Sequence, residues 1–451
     1  MISSLNTFQR CSNWWRSISL LQLSLFFVGV LAGCTAKQEF IMMETPAIYH
    51  EAAIDPFAHL DDTHLETVMS VFYATNRQPL KPGETGLPYG NREDSILHLG
   101  SATLRFGNEN FSWEELYAAS IATDRDYQVM ISLADFVEMA SLQKDFQVHP
   151  KQVLSDAQQA FAAAINAQLA KAQDKEIMVY VNGTKVDFLN AVAMTAEIDH
   201  FAGRDFVGVA FSWPSHQNIL YYLLRFDVTR AKESSGALRA LLEFLAANTT
   251  AEHINILSYS AGGRVASKAL HELRSAYPDL DRENLRKTFR LGSMIFAAAD
   301  IPLETFHKRL PAISDLSEQV VVTVSDHDPA LHAAEKYMGG GVRIGEETAE
   351  EEEISLARSL GVTNLEVVDL SLNQEGRGFD IVGHHYWYRH PWASSDIVVL
   401  LRTDLPPHRR GLSPAELEGV YYMSPKYPED VRESLRRELQ GSWFKEEKIN
   451  D

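Results

Sequence analysis

The sequence predicts an α/β fold, a mostly parallel central sheet flanked by helices, and two patterns carry that expectation. Short runs dominated by apolar residues recur at 177–181, 206–211, 254–257, 294–298, 320–324 and 365–370. Strands of that kind are buried on both faces, as in a parallel sheet covered by helices. Between the runs, 228–247, 261–277 and 353–360 have helical character. Strand–helix alternation on this scale gives parallel units joined by right-handed crossovers.

Taken in order, 67–73 (Thr-Val-Met-Ser-Val-Phe-Tyr) and 98–106 are rich in β-branched and aromatic residues and read as opening strands, with a turn-rich stretch over 78–93 between them. Val153, Ala157, Ala160, Phe161, Ala164, Ile165 and Leu169 recur at helical spacing and predict an amphipathic helix over 152–172. The acidic segment 345–353 reads as a solvated loop or helix start. After Pro406 the composition turns charged, so 406–451 reads as an appendage with one helix over 428–439. No internal repeat is visible, and the α/β domain is placed at 65–405.

The 451 residues are 45% hydrophobic and 23% charged, the balance of a globular chain able to bury a core. A net charge of −20 argues against a nucleic-acid partner, because phosphate binding needs a basic surface, and makes acidic substrates a poor fit. Before Glu39 the only charged residues are Arg10, Arg16 and Lys37, and 18–31 is densely apolar. This export signal is too short for a membrane span. It ends in Leu31-Ala32-Gly33-Cys34, which resembles the lipobox of bacterial lipoproteins. The resemblance implies a signal peptide over 1–33, lipidation of Cys34, and an extended tether over 34–64. It places the chain in the bacterial cell envelope, with Thr35 favouring the outer membrane, facing the periplasm. Cleavage there removes Cys11 and leaves the acylated Cys34 as the mature chain's one cysteine, which excludes disulfides, cysteine nucleophiles and thiolate metal sites.

The chemistry concentrates after the strand-like runs. Ile254-Asn255-Ile256-Leu257-Ser258-Tyr259-Ser260-Ala261-Gly262-Gly263-Arg264 reads as a buried strand, a tight turn and a helix start. That is a nucleophile-elbow pattern, in which residues two before and two after the central serine must be small; Ser258 and Gly262 satisfy it. Ser260 is the candidate nucleophile and the N–H of Ala261 an oxyanion donor; the plainer alternative is a serine that only caps a helix. Upstream, 178–184 ends a strand in Asn182-Gly183-Thr184, and Thr184 is the candidate second donor, against an ordinary strand-ending turn. Downstream, 320–328 ends in Asp326-His327-Asp328, where either acid could orient a histidine. Asp328 is favoured, with a helix cap as the plainer role and Asp300 as second-line acid. After the last run, His384 stands where a general base is expected. A metal site from His384, His385 and His390 has no helical ligand spacing behind it, and Tyr386, Trp387 and Trp392 read as pocket wall or core.

The joint pattern resembles a largely uncharacterised family of bacterial α/β hydrolases, serine hydrolases similar to esterases and lipases. The corresponding segments are Val71-Phe72-Tyr73-Ala74-Thr75-Asn76-Arg77, Asn182-Gly183-Thr184-Lys185, Phe211-Ser212-Trp213-Pro214-Ser215, Tyr259-Ser260-Ala261-Gly262, Ser325-Asp326-His327-Asp328-Pro329-Ala330-Leu331 and Gly383-His384-His385-Tyr386, in the family's order. The resemblance spans about 71–401. It implies the α/β-hydrolase fold, preceded by the lipoprotein signal and followed by the charged tail, with Ser260, Asp328 and His384 as the triad. The chain departs from the family at Asn182, where a histidine is usual, and at Thr184-Lys185, where Tyr-Asn is usual, which bears on the oxyanion hole.

The expected function is that of a membrane-anchored hydrolase of small-molecule or lipid carboxylic esters, needing no cofactor. The alternative is a catalytically silent fold serving as an envelope binding or scaffold protein. Amide or peptide cleavage is a further possibility within the enzyme class.

Overall fold

The fold follows from where the chain can bury its apolar runs. The structure, a computed structural model, describes residues 40–61, 64–81, 87–143, 153–346, 350–371 and 383–438. The proposed signal peptide and Cys34 lie outside them, as does the end of the tail. Among the described residues no helix is long and apolar enough to cross a membrane.

Among the described residues twelve strands form one sheet: β1 (Phe40–Ile41), β2 (Val68–Pro79), β3 (Tyr89–Phe106), β4 (Met130–Gln143), β5 (Glu176–Val181), β6 (Val207–Ser212), β7 (His253–Tyr259), β8 (Leu291–Ala297), β9 (Ser317–Val324), β10 (Leu365–Asp369), β11 (Ser413–Pro414) and β12 (Val420–Tyr422). Their order is β1-β4-β3-β2-β6-β5-β7-β8-β9-β10-β12-β11. From β2 to β12 neighbours run parallel, with Tyr180 of β5 level with Ala210 of β6 and Leu257 of β7. Antiparallel strands close both margins, β2-β3-β4-β1 on one side and β12-β11 on the other. The predicted parallel core is therefore present.

Helices connect and cover the strands: α1 (Trp113–Ile121), α2 (Asp156–Lys171), α3 (Phe188–Phe201), α4 (Ile219–Leu223), α5 (Phe226–Asn248), α6 (Gly262–Ala276), α7 (Arg282–Phe289), α8 (Leu303–Leu316), α9 (Pro329–Met338), α10 (Glu351–Ser359), α11 (Tyr386–Arg389), α12 (Pro391–Arg402) and α13 (Tyr427–Glu438). Because side chains alternate along a strand, each parallel strand feeds two cores. Val179, Val209, Ile256 and Val322 pack with α2, α5, α6 and α8 on one face. Met178, Ala210, Leu257 and Val321 pack with α3, α12 and α13 on the other.

Two boundaries differ from expectation. The segment expected to be an extended tether enters the fold by Phe40: Ile48, Tyr49 and Ile54 are buried, and the Tyr49 hydroxyl donates to the Phe201 carbonyl at 2.6 Å. The expected C-terminal appendage is part of the sheet. β12 adds in parallel to β10, and α13 buries Tyr427, Val431 and Leu435, spaced four apart on one face. Arg432 of α13 donates to the Ala47 carbonyl at 2.7 Å and so joins the two ends of the domain. The first segment has prolines and no sustained period, and in the second charged residues outnumber apolar ones, which masks the side chains that anchor each.

Candidate active site

The parallel strands end at one edge of the sheet, and the turns that follow β5, β6, β7, β9 and β10 bring the candidate residues together, the usual location of sites in such sheets. β7 ends at Tyr259, α6 begins at Gly262, and Ser260 between them has φ of 51°. A left-handed serine costs about 1–2 kcal/mol. Surrounding bonds enforce it: Ser260 N–H donates to Ala297 O at 3.0 Å, while Ser260 O accepts from Gly263 N–H at 3.0 Å and Asp300 N–H at 3.1 Å. At Gly262 a side chain is impossible without movement, because a Cβ would lie 2.4 Å from the Val181 carbonyl oxygen and 2.6 Å from that of Asn182. The small residue at 258 is buried too, its hydroxyl on Ile295 O at 3.1 Å.

The bend presents the Ser260 hydroxyl to His384, with Oγ and Nε2 2.6 Å apart. On the other side of the imidazole, Nδ1 is 2.7 Å from Asp328 Oδ2. A proton on Nδ1 facing the carboxylate leaves Nε2 to accept from the serine. Asp328 is wholly buried and its second oxygen, Oδ1, accepts from the N–H groups of Ala330 at 3.0 Å and Leu331 at 3.1 Å. The carboxylate thus caps α9 and holds the imidazole at once. His384 also leans on Tyr259, whose ring centre is 5.3 Å away and whose hydroxyl donates to the His384 carbonyl at 3.2 Å. Ser260 itself is 4% exposed.

Within the turn after β5, a Cβ at Gly183 would lie 3.2 Å from Ser260 Cβ, so this segment abuts the serine. Neither Ala261 N–H nor Thr184 N–H has a hydrogen-bond acceptor among the described residues. Asn182 turns its side chain inward: its amide donates to Gly183 O at 2.8 Å and its side-chain oxygen accepts from Trp213 N–H at 3.2 Å.

A family model described as alpha/beta hydrolase of unknown function (DUF900) matches residues 157–402, more than half of the chain. The chain belongs to that family. No curated protein matches this α/β hydrolase. Among solved structures it is similar to an uncharacterized protein from Bacillus cereus ATCC 10987, in a crystal structure at 2.75 Å resolution, with 15% identity and a TM-score of 0.28. That match covers 47% of this chain and 57% of the other.

Other candidates in the α/β hydrolase find different roles. Asp300 Oδ1 is taken by Arg343 Nε at 2.6 Å and Arg264 Nη2 at 3.0 Å. Burial lifts the Asp300 carboxyl to about 6, against the pull of Arg343. Asp326 is exposed and lies 3.3 Å from His327, not at His384. The imidazoles weighed as metal ligands go to separate partners: His385 Nδ1 bonds the Tyr259 hydroxyl at 2.7 Å, and His390 caps α12. A recess of about 840 Å³, lined by Glu176, His253, Glu318 and Leu365, lies at the opposite, amino ends of the parallel strands.

Three residues were not assigned roles by sequence reasoning. Arg77, buried at the end of the first family segment, donates to Val186 O at 2.6 Å, Ser212 Oγ at 2.8 Å and Asn91 Oδ1 at 2.8 Å, clamping the turn that carries Thr184. Asp227, at the start of α5, accepts from the Thr184 hydroxyl at 2.8 Å and pairs with His216 Nδ1 at 2.6 Å. Arg77 stood inside a quoted segment and so left a signal. Asp227 and His216 left none, because their significance depends on contacts with a distant turn.

Proposed function

We propose that this α/β hydrolase is a serine hydrolase that cleaves carboxylic esters through an acyl-enzyme. The observation that carries the reading is the unbroken chain Ser260 Oγ, His384 Nε2, His384 Nδ1, Asp328 Oδ2, with links of 2.6 and 2.7 Å. His384 takes the serine proton as Oγ attacks the ester carbonyl. Asp328 fixes the tautomer and stabilises the imidazolium that results. The tetrahedral oxygen finds donors in Ala261 N–H and Thr184 N–H, a contribution worth about 3–4 kcal/mol per donor in related chemistry. His384 then protonates the departing alkoxide, the acyl group stays on Oγ, and water activated by the same imidazole releases the acid.

Covalent labelling by a fluorophosphonate probe tests this directly. Wild type is expected to label, Ser260→Ala not at all, and His384→Ala at a strongly reduced rate. Equal labelling of wild type and Ser260→Ala removes Ser260 as the nucleophile, and a wild type that does not label returns the chain to the silent, scaffold-like reading. Anchoring through Cys34 in the bacterial envelope belongs to the same proposal and is supported by the lipobox-like residues 31–34. Cys34→Ala is expected to move the chain from the membrane fraction to the soluble one; retention in membranes removes the anchor.

A further inference from the structure

Beside the Ser260 site, large apolar side chains face solvent. They are Ile219, Leu220 and Tyr221 on α4, Leu224 and Phe226 at the junction with α5, and Tyr337 near the end of α9. Leu224 is 67% exposed, Phe226 55% and Tyr337 67%. The residues belong to one rim. The rings of Tyr221 and Phe226 are 5.8 Å apart, and Arg225 reaches across to donate to the carbonyl of Met338, next to Tyr337. The rim is built onto the site at both ends. His216 stacks on Tyr221 at 4.1 Å and shares Asp227 with Thr184, while α9 is the helix that Asp328 caps.

Charge separates this rim from the rest of the molecule. The chain carries −20 overall, yet from Trp213 to Thr229 its one acid is Asp227, buried and bonded to His216 and Thr184. Arg225 gives its hydrogen bond to a neutral carbonyl, and Lys336 lies 5.6 Å over the Tyr337 ring. Neither cation has an acidic partner among the described residues. Glu335, the remaining acid on this part of α9, groups with His332 and Glu346. Aromatic and aliphatic side chains flanked by uncompensated cations are the composition of a surface that enters the headgroup region of an anionic bilayer. Without such a patch, a strongly acidic molecule is repelled by anionic lipid.

We infer that the α4–α5 rim, with Tyr337 and Lys336, docks on an anionic phospholipid surface and that the site beside it takes acyl esters of membrane lipids from that surface. The docking stands on the rim alone. The substrate class rests on the ester-hydrolase reading, in which the lipid acyl group passes to Ser260 Oγ, the alcohol leaves with the proton from His384, and water releases the fatty acid.

The test uses the full chain with Cys11→Ser and Cys34→Ser, labelled with an environment-sensitive fluorophore at Leu224→Cys or, at the opposite edge of the sheet, at Leu360→Cys. With vesicles of phosphatidylcholine and phosphatidylglycerol, quenching by spin-labelled lipid is expected to be at least about threefold stronger at 224 than at 360, and weak with phosphatidylcholine alone. Equal quenching at both sites, none at 224, or no dependence on the anionic lipid overturns the docking. So does burial of the 224 label by self-association in vesicle-free solution, which assigns the rim to a second copy. Adding Ser260→Ala must leave the quenching unchanged, which separates docking from catalysis. In the active chain, Leu224→Glu with Phe226→Glu is expected to cut hydrolysis of a vesicle-borne phospholipid ester at least about tenfold and leave a soluble nitrophenyl ester within about twofold. A parallel fall in both reactions overturns the lipid substrate. Docking by a wild type that cleaves neither ester upholds the rim and rejects the ester reading instead.

Discussion

Asp328 divides its two oxygens between two tasks, one on the N–H groups of Ala330 and Leu331 and one on His384. The division makes its substitutions separable. Asn caps a helix as well as Asp, so Asp328→Asn is expected to melt within a few degrees of wild type while kcat for a nitrophenyl ester falls by about four orders of magnitude, because the amide no longer selects the right tautomer. Asp328→Ala loses the cap as well, at about 1 kcal/mol, and its melting temperature is expected to drop visibly. Comparable activity in Asp328→Asn and wild type removes Asp328 from the mechanism. Gly262→Ala tests the bend itself. The obstacle is backbone, the carbonyls of Val181 and Asn182, so relief by a side-chain rotation is not available. A loss of about 1–3 kcal/mol in denaturant unfolding is expected together with weaker probe labelling of Ser260, and an unchanged melt contradicts the packing described. At this scale, Ser260 and Asp328 were readable because each closely follows a buried run, whereas His384 stands well beyond the last one and was marked by the segment Gly383-His384-His385-Tyr386. Arg77 holds Val186 from 109 positions away, and no local pattern marks such a bond.

Among the elements, legibility followed exposure. Strands β5 to β9 lie inside the sheet and carry apolar residues toward both faces, so their runs stand out. β4 stayed hidden because its middle, from Ser132 to Glu138, is largely exposed and interrupted by the acids Asp135 and Glu138, as suits a strand near a sheet margin. The tail misled for a related reason. Its helix α13 is mostly charged around the stripe Tyr427, Val431 and Leu435, and β12 is only three residues long. Yet removing it uncovers β10, where Val367 and Val368 lie level with Val420 and Tyr421. Fully burying each Leu, Val or larger side chain contributes about 1.5–3 kcal/mol, and domains of ordinary stability have about 5–15 kcal/mol in total. A chain ended after Leu405 is therefore expected to be insoluble or to lose its cooperative melt, read by soluble yield and calorimetry. A truncated chain that melts like the full one contradicts the tail's place in the sheet.

Over the molecule as a whole, the face of the sheet that α3 covers is closed by residues from both ends of the domain, and it buries two carboxyl groups of α3 as it closes. Burial raises the Glu197 carboxyl to about 8, against the attraction of Arg125 and a bond from Met43 N–H. Burial likewise raises Asp199 to about 8, against Arg204 and Arg402. Unfolded, the two titrate near 4.5 and 3.8. Between about pH 4 and pH 8 the folded chain therefore holds protons that the unfolded chain has released, and stability declines as pH rises through that interval. The contribution is complete below the unfolded values and lost above the folded ones. General repulsion at a net charge of −20 acts in the same direction, so the slope alone does not identify its source. Glu197→Gln with Asp199→Asn does, because it removes both titrations and leaves the other acids in place. Melting of wild type is expected to fall by several degrees more than that of the double variant from about pH 5 to about pH 8. Parallel profiles for the two proteins would mean that neither carboxyl is held protonated in the closed core.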